Sequence, residues 1–215
     1  DVTNAPVDRN LLFPVAALAQ HTLQKDEIKV LADRGYYKGE AIKDCYDADI
    51  KVLVPKTLTS GNRAAGRFDK EDFHYDAQAD QFRCPAGEIL PRRNSSVEHG
   101  MMIYTYYASQ VVCRECELKS KCARGKERRV RRWEHEGLLD VMEQELGNTP
   151  DAMSVRSQTV EHPFGTLKAW MGSTHFLTRR LKNVRTEMSL HVLAYNLRRM
   201  MSIMGVLPLM EAIRV

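Results

Sequence analysis

Apolar residues recur along this chain with two different periods, and the period changes near Lys56. Before that point the pattern is helix and buried strand. Leu11-Leu12-Phe13-Pro14-Val15-Ala16-Ala17-Leu18 reads as a helix, with Asp8 and Asn10 as candidate caps. Pro14 is tolerated only in a first turn, so the helix is expected to start near Asn10 or Leu11. Residues 1–4 read as the tail of a strand. Lys29 to Ala32 reads as a short buried strand ending at Asp33. Gly39 to Tyr46 reads as a short helix, and Lys51-Val52-Leu53-Val54 as a second strand closed by Pro55. Strand, helix and strand in about 25 residues make a βαβ unit, whose ligand side lies at the strand C-termini. Asp33 occupies such an end, beside the turn-forming Gly35.

From Lys56 the texture turns polar, and Thr57 to Gly66 is rich in turn formers. Phe73-His74-Tyr75, Gln81-Phe82-Arg83-Cys84 and Ile103-Tyr104-Thr105-Tyr106-Tyr107 alternate as short antiparallel strands do. Asp76 to Asp80 and Pro85-Ala86-Gly87 supply turns between them. This predicts a β-rich insertion running to about Arg132. Helical period returns from Trp133 to Leu146, with Trp133, Leu138, Val141, Met142 and Leu146 on one side. A second helix carries Glu161, with Phe164 and Leu167 placed to anchor it and Pro163 forcing a kink or a new turn. After Gly172 comes a basic loop. Glu187 to Met204 then reads as a long helix whose many Leu and Met positions belong in a core. The domains expected are therefore 1–55, 56–132 and 133–215.

The 215 residues, 43% hydrophobic and 28% charged, fit a globular chain and exclude a disordered one. No stretch approaches the roughly 20 apolar residues of a membrane span, and no signal peptide is visible. The formal charge of +4 is mild, so its clustering carries more meaning than its sum. Lys119, Lys121, Arg124, Lys126, Arg128, Arg129, Arg131 and Arg132 fall within 14 positions. Arg179, Arg180, Lys182 and Arg185 form a second group. Both are candidate contacts to nucleic-acid phosphates, against the common alternative of a solvated face.

Five cysteines without an export signal point to metal before disulfides. Cys113-x2-Cys116 can reach one tetrahedral ion, Cys122 follows after five residues, and Cys84 precedes a Pro-Ala-Gly turn. Four thiolates would make a closed structural zinc site, pinning an insertion expected to lack apolar mass of its own. An iron–sulfur cluster is the lesser alternative, and scattered reduced thiols the bland one. Cys45, on the short helix, reads as a small core residue.

The carboxylates complete the chemistry. Glu161 and Lys168 are seven apart, so about two helical turns bring them to one face. A strand-end Asp such as Asp33, joined to a helix-borne Glu such as Glu161, is how α/β nucleases hold metal ions. Asp33-Arg34-Gly35-Tyr36, followed far downstream by Glu161-His162-Pro163-Phe164-Gly165-Thr166-Leu167-Lys168, resembles the C-terminal part of bacterial insertion-sequence transposases of the DDE type. The resemblance extends over the Cys-bearing insertion and the ending Met188 to Leu197. It implies an α/β fold: an RNase H-like core incomplete at its N-terminus, a β-rich insertion, which here carries the candidate zinc cysteines, and C-terminal helices.

Carried over, Asp33 matches the second catalytic Asp, Glu161 the final Glu, and Lys168 the Lys of the Tyr-Arg-Glu-Lys signature. Arg156 matches the Arg, but with four residues before Glu161 where the pattern has three; Met153 stands where the Tyr belongs. The first catalytic Asp is expected upstream of Asp1, with Asp8 a cap instead. In such enzymes carboxylates hold two Mg2+ or Mn2+ ions about 4 Å apart for strand cleavage and transfer. Lys168 and Arg156 would clamp a phosphate, and His162 is a further DNA contact. The implied partners are double-stranded DNA, as transposon ends and target, and further copies of the chain; the implied location is the cytoplasm, at the nucleoid. With two of three carboxylates this chain alone is expected to cleave little. The rival readings are a zinc-stabilised DNA-binding or oligomerising module without catalysis, and another RNase H-like nuclease.

Overall fold

A computed structural model describes residues 2–57 and 61–214. Asp1, in the expected strand tail, and residues 58–60 of the polar stretch lie outside the described residues. The chain is a mixed α/β protein with two compact units, Asp1–Pro55 together with Met142–Val215, and Lys56–Val141.

In the first unit, α1 (Leu12–Leu23) leads to β1 (Lys29–Leu31), α2 (Gly39–Asp47) and β2 (Lys51–Leu53). The two strands pair in parallel, Val30 opposite Val52, as the strand–helix–strand pattern predicts. α2 presents Ala41, Ile42 and Cys45 inward, and Val52, Leu53 and Val54 are fully buried. Each such aliphatic side chain contributes about 1.5–3 kcal/mol through removal from water. Residues 2–5 are irregular and not strand. Asp8–Asn10 form a single 3-10 turn, and α1 has no side-chain cap; the Asn10 amide oxygen instead accepts from Lys38 Nζ at 2.9 Å.

The second unit is a five-stranded antiparallel sheet in sequential order, β3 (His74–Asp76), β4 (Gln81–Arg83), β5 (Ile89–Glu98), β6 (Met101–Tyr106) and β7 (Val130–Trp133). β5 escaped the sequence reading because Pro91 and the run Arg92 to Ser96 give it no clean apolar alternation. Its register slips between Arg92 and Asn94, a bulge next to the proline. His99 and Gly100, both at positive φ, make the two-residue hairpin to β6. Trp133 belongs to β7, not to the following helix. Contrary to the expected shortage of apolar mass, the sheet has its own core of Phe73, Phe82, Leu90, Tyr106, Ala108 and Val130. Between β6 and β7 lie two short helices, α3 (Gln110–Glu115) and α4 (Lys119–Cys122).

The chain returns to the first unit within α5 (Glu136–Gly147). α6 (Ala152–Arg156) and α7 (His162–Gly165) follow, each continued by a π-helical turn, Ser157–Glu161 and Thr166–Trp170. Pro163 explains the local change. It has no N–H to give the ladder, and it stands just where the first π-turn gives way to α7. α8 (Leu181–Met204) and α9 (Val206–Ile213) close the chain. α8 corrects an expectation: none of its residues is buried, and Leu190, Leu193 and Ile203 are exposed. Its apolar side chains lie all round the helix, so the pattern reported hydrophobicity without a direction. Among the described residues, no helix is long and apolar enough to cross a membrane.

Candidate active site

Asp33 leaves β1 just before a 3-10 turn, Arg34–Tyr36, and caps it: Asp33 Oδ1 accepts the Gly35 N–H at 2.8 Å. A Cβ on residue 35 would meet that oxygen at 2.9 Å. Glycine is therefore what lets the carboxylate fold over its own turn and leave Oδ2 facing outward. Oδ2 accepts from Arg156 Nη2 at 2.9 Å, across 123 residues of chain. The other arm of the same guanidinium, Nη1, lies 3.4 Å from Glu161 Oε1, and Ser157 Oγ donates to Glu161 Oε2 at 2.8 Å. One half-buried arginine thus joins the two remote carboxylates.

The π-turn makes this possible. In a regular α-helix residues three or four apart share a face. Arg156 and Glu161 are five apart, and the i to i+5 bonding of Ser157–Glu161 returns them to the same side. Thr159 Oγ1 donates to the carbonyls of Val155 and Arg156 at 2.8 and 3.1 Å, occupying acceptors where the helix widens.

Asp8 lies at this site and does not cap a helix. Its carboxylate is 4.0 Å from where a Gly35 Cβ would stand. Burial, with Asp8 and Asp33 adding to it and Arg156 opposing, raises the Tyr36 phenol. Ser157 and Asp8 are the participants that sequence reasoning missed or dismissed. A short polar side chain four residues before an acid on a helix was the available signal for Ser157.

The remaining residues of the Glu161 helix divide. Leu167 is buried and anchors it, but Phe164 is half exposed. Lys168 is exposed on the second π-turn. His162 lines a cavity of about 380 Å3 with Trp170, Tyr195, Arg198 and Arg199. The two arginines and the tryptophan there were not singled out in the sequence. Arg179 and Arg180 are exposed, Arg180 at φ +70 just before α8.

In the second unit, Lys126, Arg129 and Arg131 are exposed; Arg129 pairs with Glu127 at 2.8 Å and Arg131 with Glu98. Arg128 stacks on Phe73. Arg132 is buried, lies 3.8 Å over the Tyr75 ring and pairs with Asp140 at 2.5 Å. On a strand, neighbours point to opposite faces, so Arg131 reaches solvent while Arg132 is committed within the sheet.

The four cysteines Cys84, Cys113, Cys116 and Cys122 all line one small cavity in this unit. Cys45 is buried in α2, as expected of a core residue. Burial raises the Cys122 thiol; Arg128 opposes the rise, and the other three cysteines add to it. Among the described residues, no group of three or more His, Cys, Asp or Glu side chains stands ready to hold a metal ion.

Comparison with known proteins gives one family. Neither the curated proteins nor the solved structures yielded a match. The family model for the transposase DDE domain matches residues 83–201, a span that includes Arg156, Glu161 and Lys168. As that span exceeds half of the chain, the protein belongs to the transposase DDE domain family.

Proposed function

We propose that this chain is the part of a DDE transposase with an RNase H-like core that carries its second and third catalytic carboxylates, Asp33 and Glu161. The observation that supports this most is the shared Arg156 guanidinium, which draws both acids together from remote segments. The donor set is all hard oxygen and suits Mg2+ or Mn2+. An ion held by Asp33 and Glu161 would supply Lewis-acid polarisation of a phosphoryl oxygen and would lower the pKa of an attacking hydroxyl. Ser157 orients Glu161, the Gly35 N–H orients Asp33, and Arg156 offsets the repulsion between the two acids that a cation would otherwise offset. Lys168 and Arg156 would hold a phosphate of the DNA there. His162, with Arg198, Arg199 and Trp170 on one cavity, positions the adjacent DNA strand. The substrates are transposon ends and target DNA.

The one-residue departure from the signature fits the same reading. A π-turn absorbs one extra helical residue, so the longer Arg156–Glu161 spacing keeps the facing that the shorter pattern achieves in a regular helix. A second reading, a non-catalytic DNA-binding or assembling module, is favoured by α8, which exposes its apolar residues.

Affinity cleavage distinguishes the two. The chain is charged with Fe2+, and ascorbate and peroxide generate hydroxyl radicals at the bound metal. The catalytic reading expects backbone scission near both residue 33 and residue 161, suppressed by excess Mg2+ and by Glu161→Ala. Scission absent from both segments, or unaffected by Glu161→Ala, overturns it.

A further inference from the structure

We infer that Cys84, Cys113, Cys116 and Cys122 are the ligands of one structural zinc ion, which fixes α3 and α4 to the five-stranded sheet. The inference is independent of the catalytic reading and rests on the other unit. Three separate segments deliver the thiols. Cys113 lies in the last turn of α3, and Cys116 caps that helix in extended conformation, its carbonyl accepting the Lys119 N–H at 3.0 Å. Cys122 is the last residue of α4. Cys84 opens a tight turn in which its carbonyl accepts the Gly87 N–H at 2.8 Å and its N–H donates to Glu88 at 2.9 Å; Gly87 supplies the φ of +87 that the turn needs.

All four cysteines line one cavity of about 30 Å3, walled otherwise largely by apolar groups such as Phe73 and Leu90. That volume suits a single small occupant. Among the described residues these side chains do not yet stand at metal-holding distance, so zinc must draw them in to tetrahedral bonds of about 2.3 Å. Lys119 and Arg128 line the same cavity and offset the net negative charge of a four-thiolate centre.

The reason a metal is required is the weakness of everything else there. α3 has six residues and α4 four, and neither contains a buried residue. Helices this short do not persist without an external hold, and three of the cysteines already pack against the sheet core. Zinc supplies that hold, and it fixes the exposed basic residues on either side of Cys122, which are Lys121, Arg124 and Lys126.

The test uses the full chain, purified without a polyhistidine tag. Elemental analysis is expected to find one zinc per chain, and Co2+ exchanged into it to give the visible bands of a tetrahedral thiolate site. Cys84→Ser and Cys122→Ser lose the zinc, whereas Cys45→Ser keeps it. Because a serine variant can fail to fold, the unaltered chain decides: absence of both zinc and the cobalt bands overturns the inference. So does an iron–sulfur absorption spectrum, or mass spectrometry showing these cysteines paired as disulfides. Equal zinc loss in Cys45→Ser overturns the assignment of ligands.

Discussion

Replacing Arg156 by glutamine should loosen the fold and tighten metal binding at once. The guanidinium is 18% exposed, Asp33 is 47% exposed and Glu161 63%. Ion pairs this open contribute about 0.2–1 kcal/mol each. The 2.9 Å contact to Asp33 belongs at the upper end of that range, and the 3.4 Å contact to Glu161 at the lower. Their sum is about 1 kcal/mol. For a chain of this size, that lowers the melting temperature by about 2–4 °C. The same quantity no longer has to be broken before a cation takes the place of the arginine, so Mn2+ should bind about fivefold tighter. The assay is a Mn2+ titration followed by the magnetic resonance of free ion, with melting curves, for the unaltered chain, Arg156→Gln and Arg156→Lys. Lysine keeps the charge but not the two-armed fork, so it should fall between the two. If Mn2+ affinity falls in Arg156→Gln, the arginine positions the carboxylates for the ion and does not stand in its place, and the reasoning fails.

Three further outcomes are expected. Deleting Gln158 turns the π-turn into a regular helix and leaves Arg156 and Glu161 four apart, so Mn2+ affinity should survive; its loss would show that the wide turn does more than absorb spacing. Asp80→Ala removes the acceptor that takes the Tyr106 and Tyr75 hydroxyls at 2.6 and 2.9 Å and leaves the two only each other as partners, which costs about 1 kcal/mol, read by denaturant unfolding. Burial pushes the Asp80 carboxyl up, but those two hydroxyls with Arg92 and Arg132 outweigh it and hold it below the usual range. Its contribution is therefore present above about pH 4 and disappears as pH falls through the lower folded value, so acid should destabilise the parent more than Asp80→Ala. Finally, binding to duplex DNA should weaken steeply with salt, and Lys121→Gln with Lys126→Gln should reduce the logarithmic slope by about 2, measured by fluorescence anisotropy. An unchanged slope would remove that segment from the interface.

Local patterns were readable where one rule acted alone. The parallel pair β1 and β2, helix α2 and the turns at Asp76–Asp80 and Pro85–Gly87 each follow from nearest-neighbour chemistry. β5 did not, because strand identity there comes from β4 and β6 on either side and not from its own residues. The run of arginines was visible as composition, but pleating decided that Arg131 meets solvent and Arg132 lies over Tyr75. α8 was read as core from its Leu and Met content, which measures hydrophobicity and not what covers it.

The amino-acid order alone singled out the candidate side chains: two remote acids, a following lysine, and thiols at metal-ligand spacing. Those are properties of residue type and separation, and they hold before the chain folds. The meeting of Asp33 and Glu161 on one guanidinium, the nearness of Asp8, and the gathering of four thiols on one cavity were decided only in three dimensions. A π-turn rotates the face of a helix, and contacts across more than 100 residues are set by packing, which no local spacing contains.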